Sequence, residues 1–287
     1  MSSKRRTEFV YSANKSSSMI KAAIPTEVSS REVSQDTTHR FAYSFCTLVT
    51  EPAEYREMIE AFAAKGFTSV DCEFLHVDNS RENRLDAYAG YNRFLREAQG
   101  RYVILCHQDV LPIHDDRERL DALLDELTQR DPDWGVCGNA GATASGKIAA
   151  RISDPNTGDT KQGGPFPVRV VSLDENFLVV RTEANLALSH DLTGYHWYGA
   201  DLCIIADVLG WNAYVIDFHV LHKSGGSPDG RFADIRFDMR RKYGRAFRSR
   251  WHHVTTKRSI FLSGSPVRAL LARTFPVNWA WRKLRRY

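Results

Sequence analysis

The chain has 287 residues, of which 43% are hydrophobic, 26% charged and 11% aromatic, a balance that excludes collagen-like, coiled-coil and wholly disordered chains. The net charge of +4 conceals an uneven division: Arg240 to Tyr287 holds 14 Lys and Arg with no Asp or Glu, leaving 25 basic against 35 acidic residues elsewhere. An acidic body with a basic tail calls for an anionic partner. No apolar run approaches the ~20 residues that a membrane-spanning helix needs, and the N-terminus lacks the apolar core of a secretory signal, so the expectation is a cytoplasmic protein.

In chain order, residues 1–40 are rich in Ser, Thr, Lys and Arg and read as a polar, disordered arm. Tyr43 to Val49 is an apolar, β-branched strand. Ala53 to Lys65 follows Pro52 as a helix, with Tyr55, Met58, Ile59 and Phe62 at helical spacing and Gly66 as its stop. Val70 to Val77 is a second strand with Asp78-Asn79-Ser80 as its polar exit, and Asp86 to Gln99 a second helix. Tyr102 to Cys106 is a third strand, breaking into His107-Gln108-Asp109. Leu120 to Leu127 is helical and Val136 opens another strand. Gly141 to Pro167, rich in Gly, Ser, Thr and Pro, reads as a mobile loop or lid. Val168 to Ser172 and Phe177 to Val180 read as strands, and Ala200 to Leu209 as a helix ended by Gly210. Trp211 to His222 alternates as one strand, turned by Ser224-Gly225-Gly226-Ser227. The β-α-β-α-β order implies parallel strands, whose ligands lie beyond the strands' carboxyl ends. Thr50-Glu51, Asp78-Asn79 and His107-Gln108-Asp109 would then converge on one crevice.

The five cysteines, Cys46, Cys72, Cys106, Cys137 and Cys203, form no CxxC pair and sit mostly in apolar runs, which points to buried free thiols. Gly141 to Lys147 matches most of a phosphate-binding loop, but Ile148 stands where that motif needs Ser or Thr for magnesium. Asp154-Pro155 also cuts short the helix that should follow. A flexible glycine loop fits better. Asp109, at the end of an apolar strand, is the stronger signal. A carboxylate held there suits a divalent cation bridging a diphosphate, and alone it could equally cap a turn.

From about Tyr43 to Gly226 the chain resembles the GT-A glycosyltransferases, especially the family 2-like group. The resemblance rests on four segments in order. These are the opening strand with Thr50-Glu51; Val77-Asp78-Asn79-Ser80; Tyr91-Asn92 through Gln99-Gly100-Arg101-Tyr102 into His107-Gln108-Asp109; and Trp197-Tyr198-Gly199-Ala200-Asp201-Leu202-Cys203 through Gly210-Trp211 to Val220-Leu221-His222-Lys223-Ser224. It implies an α/β fold, a GT-A type Rossmann-like mixed sheet flanked by helices. That domain would span residues 41–228, between the arm at 1–40 and a basic helical tail at 229–287.

The resemblance further implies a metal-dependent, inverting enzyme that moves a sugar from a nucleotide-diphosphate donor, a UDP-sugar first, to a glycan or lipid-linked hydroxyl. Thr50, Glu51, Asp78, Asn79, His107 and Gln108 would bind the nucleotide. Asp109 and His222 would hold Mn²⁺ or Mg²⁺, Asp201 would be the catalytic base, and Trp197 and Tyr198 would flank the acceptor. His107 departs from the family pattern by standing where an acid is usual. The tail mixes Trp279 and Trp281 with Arg282, Lys283, Arg285 and Arg286, a composition suited to the anionic inner face of a membrane. A nucleic-acid-binding protein that uses this tail is the alternative. It leaves the ordered strand-end polar residues unexplained.

Overall fold

The computed structural model describes residues 30, 32–34, 37–225, 231–255 and 259–272. The chain divides into two units, Met1–Thr37 and Thr38–Tyr287. The described residues of the first unit carry no regular secondary structure. The second contains β1 (Phe41–Val49), α1 (Pro52–Ala64), β2 (Cys72–Asp78), α2 (Ala87–Glu97), β3 (Gly100–Cys106), β4 (Val110–Pro112), α3 (Arg117–Arg130), β5 (Trp134–Gly138), β6 (Ala140–Ala142), β7 (Ile148–Asp154) and β8 (Gly158–Gln162). After these come β9 (Val168–Val170), β10 (Ser172–Leu173), β11 (Phe177–Arg181), α4 (Tyr198–Leu209), β12 (Asn212–Val215), β13 (Val220–His222), α5 (Arg231–Ala246), β14 (Arg250–His253), β15 (Ser259–Leu262) and α6 (Pro266–Leu271).

Local chemistry sets the helix ends. Pro52 opens α1, where its missing N–H costs nothing. The Asp86 and Asp116 carboxylates accept from the amides of Ala89 and Arg119 and cap α2 and α3. Gly210 closes α4 at φ 90°, a left-handed conformation that glycine adopts without a Cβ penalty.

The main sheet has seven strands in the order β2-β1-β3-β11-β5-β12-β9. β1 pairs in parallel with both β2 and β3. β11 then enters antiparallel to both β3 and β5. The result is a mixed sheet, and the parallel order expected from the βαβ pattern holds only in its first half. Period-two alternation divides the core. In β3, Tyr102, Ile104 and Cys106 pack with α1 and α3 on one face, while Val103 and Leu105 pack with α2, α4 and α5 on the other. Burying each of Val103, Ile104 and Leu105 stabilises the fold by ~1.5–3 kcal/mol. All five cysteines are buried and free.

A second sheet runs β10-β6-β7-β13-β4, with β8 added to β7. It corrects three expectations. Most of Gly141 to Pro167 is not a loop: it forms the β6-β7 and β7-β8 antiparallel pairs. The glycine-rich Thr143–Lys147 stretch is the hairpin turn between β6 and β7, closed by the Thr143 amide on the Lys147 carbonyl at 2.9 Å. A strand and not a helix follows it, so no phosphate-binding loop forms. The single strand expected over Trp211 to His222 is two, β12 in the main sheet and β13 in the second. Val168 to Ser172 likewise splits between β9 and β10.

Helix α5 lies within the stretch read as a basic tail, and its Ile235 and Met239 are buried in the same cluster as α4. The Trp279 to Arg286 segment lies outside the described residues. No helix among the described residues is long and apolar enough to cross a membrane.

Candidate active site

Sheet pairing brings the distant ends of the sequence together. β13 runs antiparallel to β4, placing His222 opposite Val110, immediately after the turn that leaves β3. The Lys223 amide donates to the Asp109 carbonyl at 3.0 Å, and the Ser224 amide to Asp109 Oδ2 at 3.2 Å. His222 Nε2 lies 3.5 Å from that same oxygen, and the His107 and His222 rings sit edge to face at 5.5 Å. Candidate ligand atoms of His107, Asp109 and His222 all fall within 4.8 Å of one another. Two imidazoles and a carboxylate at that separation are a donor set for one divalent transition ion.

The electrostatics suit that use. Burial, with His222 beside it, lowers His107 to about 4, so its ring is neutral near pH 7 with a lone pair to offer. Burial opposes ionisation of Asp109, but hydrogen bonds from His222 and Ser224 and the charge of the two imidazoles outweigh it. They hold the carboxyl well below its usual range. His222 is raised: burial works against its charged form, and the bond to and charge of Asp109 more than compensate. The Tyr198 hydroxyl donates to the Glu175 carbonyl at 2.9 Å, and its oxygen is left to accept from His107 Nε2, 2.8 Å away. A fixed outer partner of this kind orients a metal-binding imidazole.

The three residues lie in a cleft of about 820 Å³, whose walls include Thr50, Glu54, Tyr91, Tyr195, His196 and Phe232. Gln108, Tyr198 and Ser224 also line it, as does the acidic pair Asp174 and Glu175. A cavity of about 950 Å³ beside α2 is larger, but it gathers no comparable set of ligating groups.

Of the other predicted residues, Thr50, Gln108 and Tyr198 line the cleft, while Glu51, Asp78, Asn79 and Trp197 do not. Gln108 Oε1 accepts from the amides of Thr50 and Glu51 at 2.8 and 2.9 Å, and its Nε2 donates to Thr50 Oγ1 at 2.9 Å. The side chain thus clamps the start of α1 to the exit of β3. Glu51 precedes α1 and is not among the lining residues. Asp78 accepts from the Ser80 amide and hydroxyl at the end of β2. Asn79 is buried; it donates to the Leu85 carbonyl and accepts from the amides of Arg84 and Leu85, fixing the loop before α2. Trp197 takes a left-handed φ of 67° at the head of α4. Its indole donates to the Phe232 carbonyl and its ring packs on Phe232 at 5.0 Å. That turn sends Tyr198 inward to His107 and leaves Trp197 behind the cleft wall.

Asp201, expected as the base, stands apart from the cleft. It is 0% exposed and is not a cleft residue. Its oxygens accept from the Ser189 amide at 2.7 Å, the Ser189 hydroxyl at 2.6 Å and the Tyr243 hydroxyl. A carboxylate enclosed by three donors joins α4, α5 and the Ser189 segment. Besides Asp109, the carboxylates lining the cleft are Glu54, Asp174 and Glu175; the last is half-buried, with the Gly199 amide donating to its Oε1 at 3.3 Å. Burial, followed by the neighbouring Asp174, raises it to about 8. Sequence reasoning passed over Glu175 because it precedes a strand; the antiparallel direction of β11 carries it to the rim where the parallel strands end.

No family model matches the chain. Among solved structures it is similar to a mannosyltransferase from Pyrobaculum calidifontis in complex with GDP-Man and Mn²⁺, with 15% identity, a TM-score of 0.46, and 73% of this chain and 67% of that one covered. It is also similar to S. aureus TarS 1–349 in complex with UDP-GlcNAc, with 10% identity, a TM-score of 0.45, and 68% and 61% covered. In sequence it is 37% identical over 244 residues to the "ATP synthase subunits region ORF 6" protein of Fuscovulum blasticum, a match covering 82% of this chain and 94% of that protein. At that identity and coverage the chain belongs to the family of the Fuscovulum blasticum ORF 6 protein.

Proposed function

We infer that the protein is a metal-dependent GT-A glycosyltransferase that uses a nucleotide-diphosphate sugar, a UDP-sugar first among candidates, and glycosylates a hydroxyl of a glycan or lipid-linked acceptor. The observation that carries this reading is the His107–Asp109–His222 cluster at the strand ends of an 820 Å³ cleft. It agrees with the ordered motifs of the sequence. A divalent ion held by these three residues would supply positive charge to the departing diphosphate. Two nitrogen donors beside one carboxylate favour Mn²⁺ over Mg²⁺.

The chain's own groups supply the rest. Tyr198 fixes the His107 ring, and the Gln108 clamp fixes Thr50 at the donor side of the cleft. Glu175 takes the proton of the acceptor hydroxyl as the new oxygen–carbon bond forms and the sugar–phosphate bond breaks. A diphosphate leaves without protonation, so one base on the acceptor side suffices, consistent with inversion.

Thermal unfolding with UDP or GDP, with and without Mn²⁺, tests the reading. Stabilisation by one of the two nucleotides that needs Mn²⁺ and is lost in Asp109→Ala is the expected result. Equal stabilisation with or without metal, or in the variant, would reject it.

A further inference from the structure

Beyond the cleft, exposed apolar and basic residues are concentrated in the C-terminal segment of the described chain. Phe237, Phe247, Ile260, Leu262, Val267 and Leu270 are all exposed, from 42% at Leu262 to 66% at Phe237 and Leu270. They lie on α5, β15, α6 and the turn after α5. The end of α4 adds Val208 and Leu209. Scattered single apolar residues on a surface need no explanation, whereas a concentration of them does. After Asp238 the sequence contains no acidic residue at all.

Two adjoining cavities give this surface a shape. One, of about 690 Å³, has walls of Ile205, Val208, Phe247 and Leu262. The other, of about 660 Å³, is rimmed by Arg241, Lys242, Arg245, Arg248 and Arg250, with Asp191 and Asp238 as its acids. Lys242, Ala246, Arg248 and Arg250 belong to both. Ion pairs join Lys242 to Asp191 and Arg241 to Asp238, leaving three guanidinium groups in excess of the carboxylates. An apolar trough thus runs directly into a cationic bowl.

We propose that this face docks on the surface of an anionic lipid bilayer, with lipid phosphates at Arg245, Arg248 and Arg250 and acyl chains against Val208, Phe247 and Leu262. Charge complementarity selects the lipid phosphate, and the aliphatic character of the neighbouring wall selects the bilayer. Single-stranded nucleic acid would call for aromatic platforms among the cations, where this trough offers mostly aliphatic side chains. The site shares no residue with the His107–Asp109–His222 cluster, and the flotation readout does not depend on the enzymatic reading.

Flotation of the full chain with vesicles tests the proposal. The expected result is capture by phosphatidylcholine vesicles containing phosphatidylglycerol, weakening as salt is raised, with little capture by phosphatidylcholine alone. Arg245→Gln with Arg248→Gln should lower the partition coefficient about thirtyfold, at about fivefold per arginine. Leu262→Ser with Val208→Ser should lower it even at low salt, without changing the unfolding temperature or the Mn²⁺-dependent response to nucleotide. Equal capture by both vesicle types, or unchanged capture of the variants, would overturn it. So would complete competition by inorganic phosphate, or tighter binding to single-stranded DNA than to the vesicles.

Discussion

Asp201 and Glu175 are both carboxylates near the start of α4, in opposite surroundings. Asp201 accepts from three buried donors, so Asp201→Ala strands them and should cost about 3 kcal/mol, lowering the unfolding temperature by roughly 6–12 °C. Glu175→Gln should leave the fold intact and reduce kcat by about 10²–10⁴-fold, as expected for the loss of a general base. Because Glu175 is raised to about 8, transfer by the native protein should increase with pH through that value. The linked effect on stability has the opposite direction. Between its ordinary 4.5 and about 8, Glu175 holds a proton in the folded state that the unfolded chain has released, so stability falls as pH rises across that window. Denaturant titrations of the native protein and Glu175→Gln should diverge there. The sequence marks Asp109 and His222 as metal ligands and His107 as a nucleotide contact, because His107 follows the apolar strand β3, Asp109 lies in the turn after it and His222 ends β13. Glu175 is not marked, since it stands before its strand, and the direction of β11 is set by pairing with β3 and β5, which no local pattern records.

The well-read elements carry their own local signals. α1, α2 and α3 each combine a start signal with buried residues at helical spacing, and β1 and β3 are short apolar runs with clear ends. β8 was missed because Gly158-Asp-Thr-Lys-Gln162 is polar and largely exposed, and only its pairing with β7 makes it a strand. The break between β12 and β13 was hidden because Tyr214, Ile216, Phe218 and Val220 keep apolar alternation through it and feed the same core cluster. Charge alone marks the α5 segment in the sequence, whereas Ile235 and Met239 are buried in the same cluster as α4. Ile235→Ala should therefore cost about 2–4 kcal/mol. Limited proteolysis should then cleave the α5–α6 region faster, while the main sheet stays resistant.

At the scale of the whole molecule, the candidate metal-binding cluster stands where the two sheets meet. His107 follows β3 of the main sheet, Asp109 directly precedes β4, and His222 ends β13; the last two strands belong to the second sheet. An ion held there would tie both sheets together. Hydrogen exchange measured with and without Mn²⁺ should show slower exchange in β3 and β13 alike, with no change in His222→Ala. Protection confined to one strand would mean that the cluster does not bridge them.

The amide of Gln108 has a wider consequence. The amino end of a helix ordinarily welcomes an anion, and at α1 that place is filled by an uncharged group one residue from Asp109. As ligands of a cation both neighbouring rings must be neutral, so the His107-Gln108-Asp109 turn and His222 would then bring a single negative charge to it. A dication seated there would leave an excess of one positive charge facing the cleft, the polarity that attracts a doubly ionised phosphate group. A glutamate at position 108 would cancel that excess and turn an anion receptor into an electrically indifferent surface.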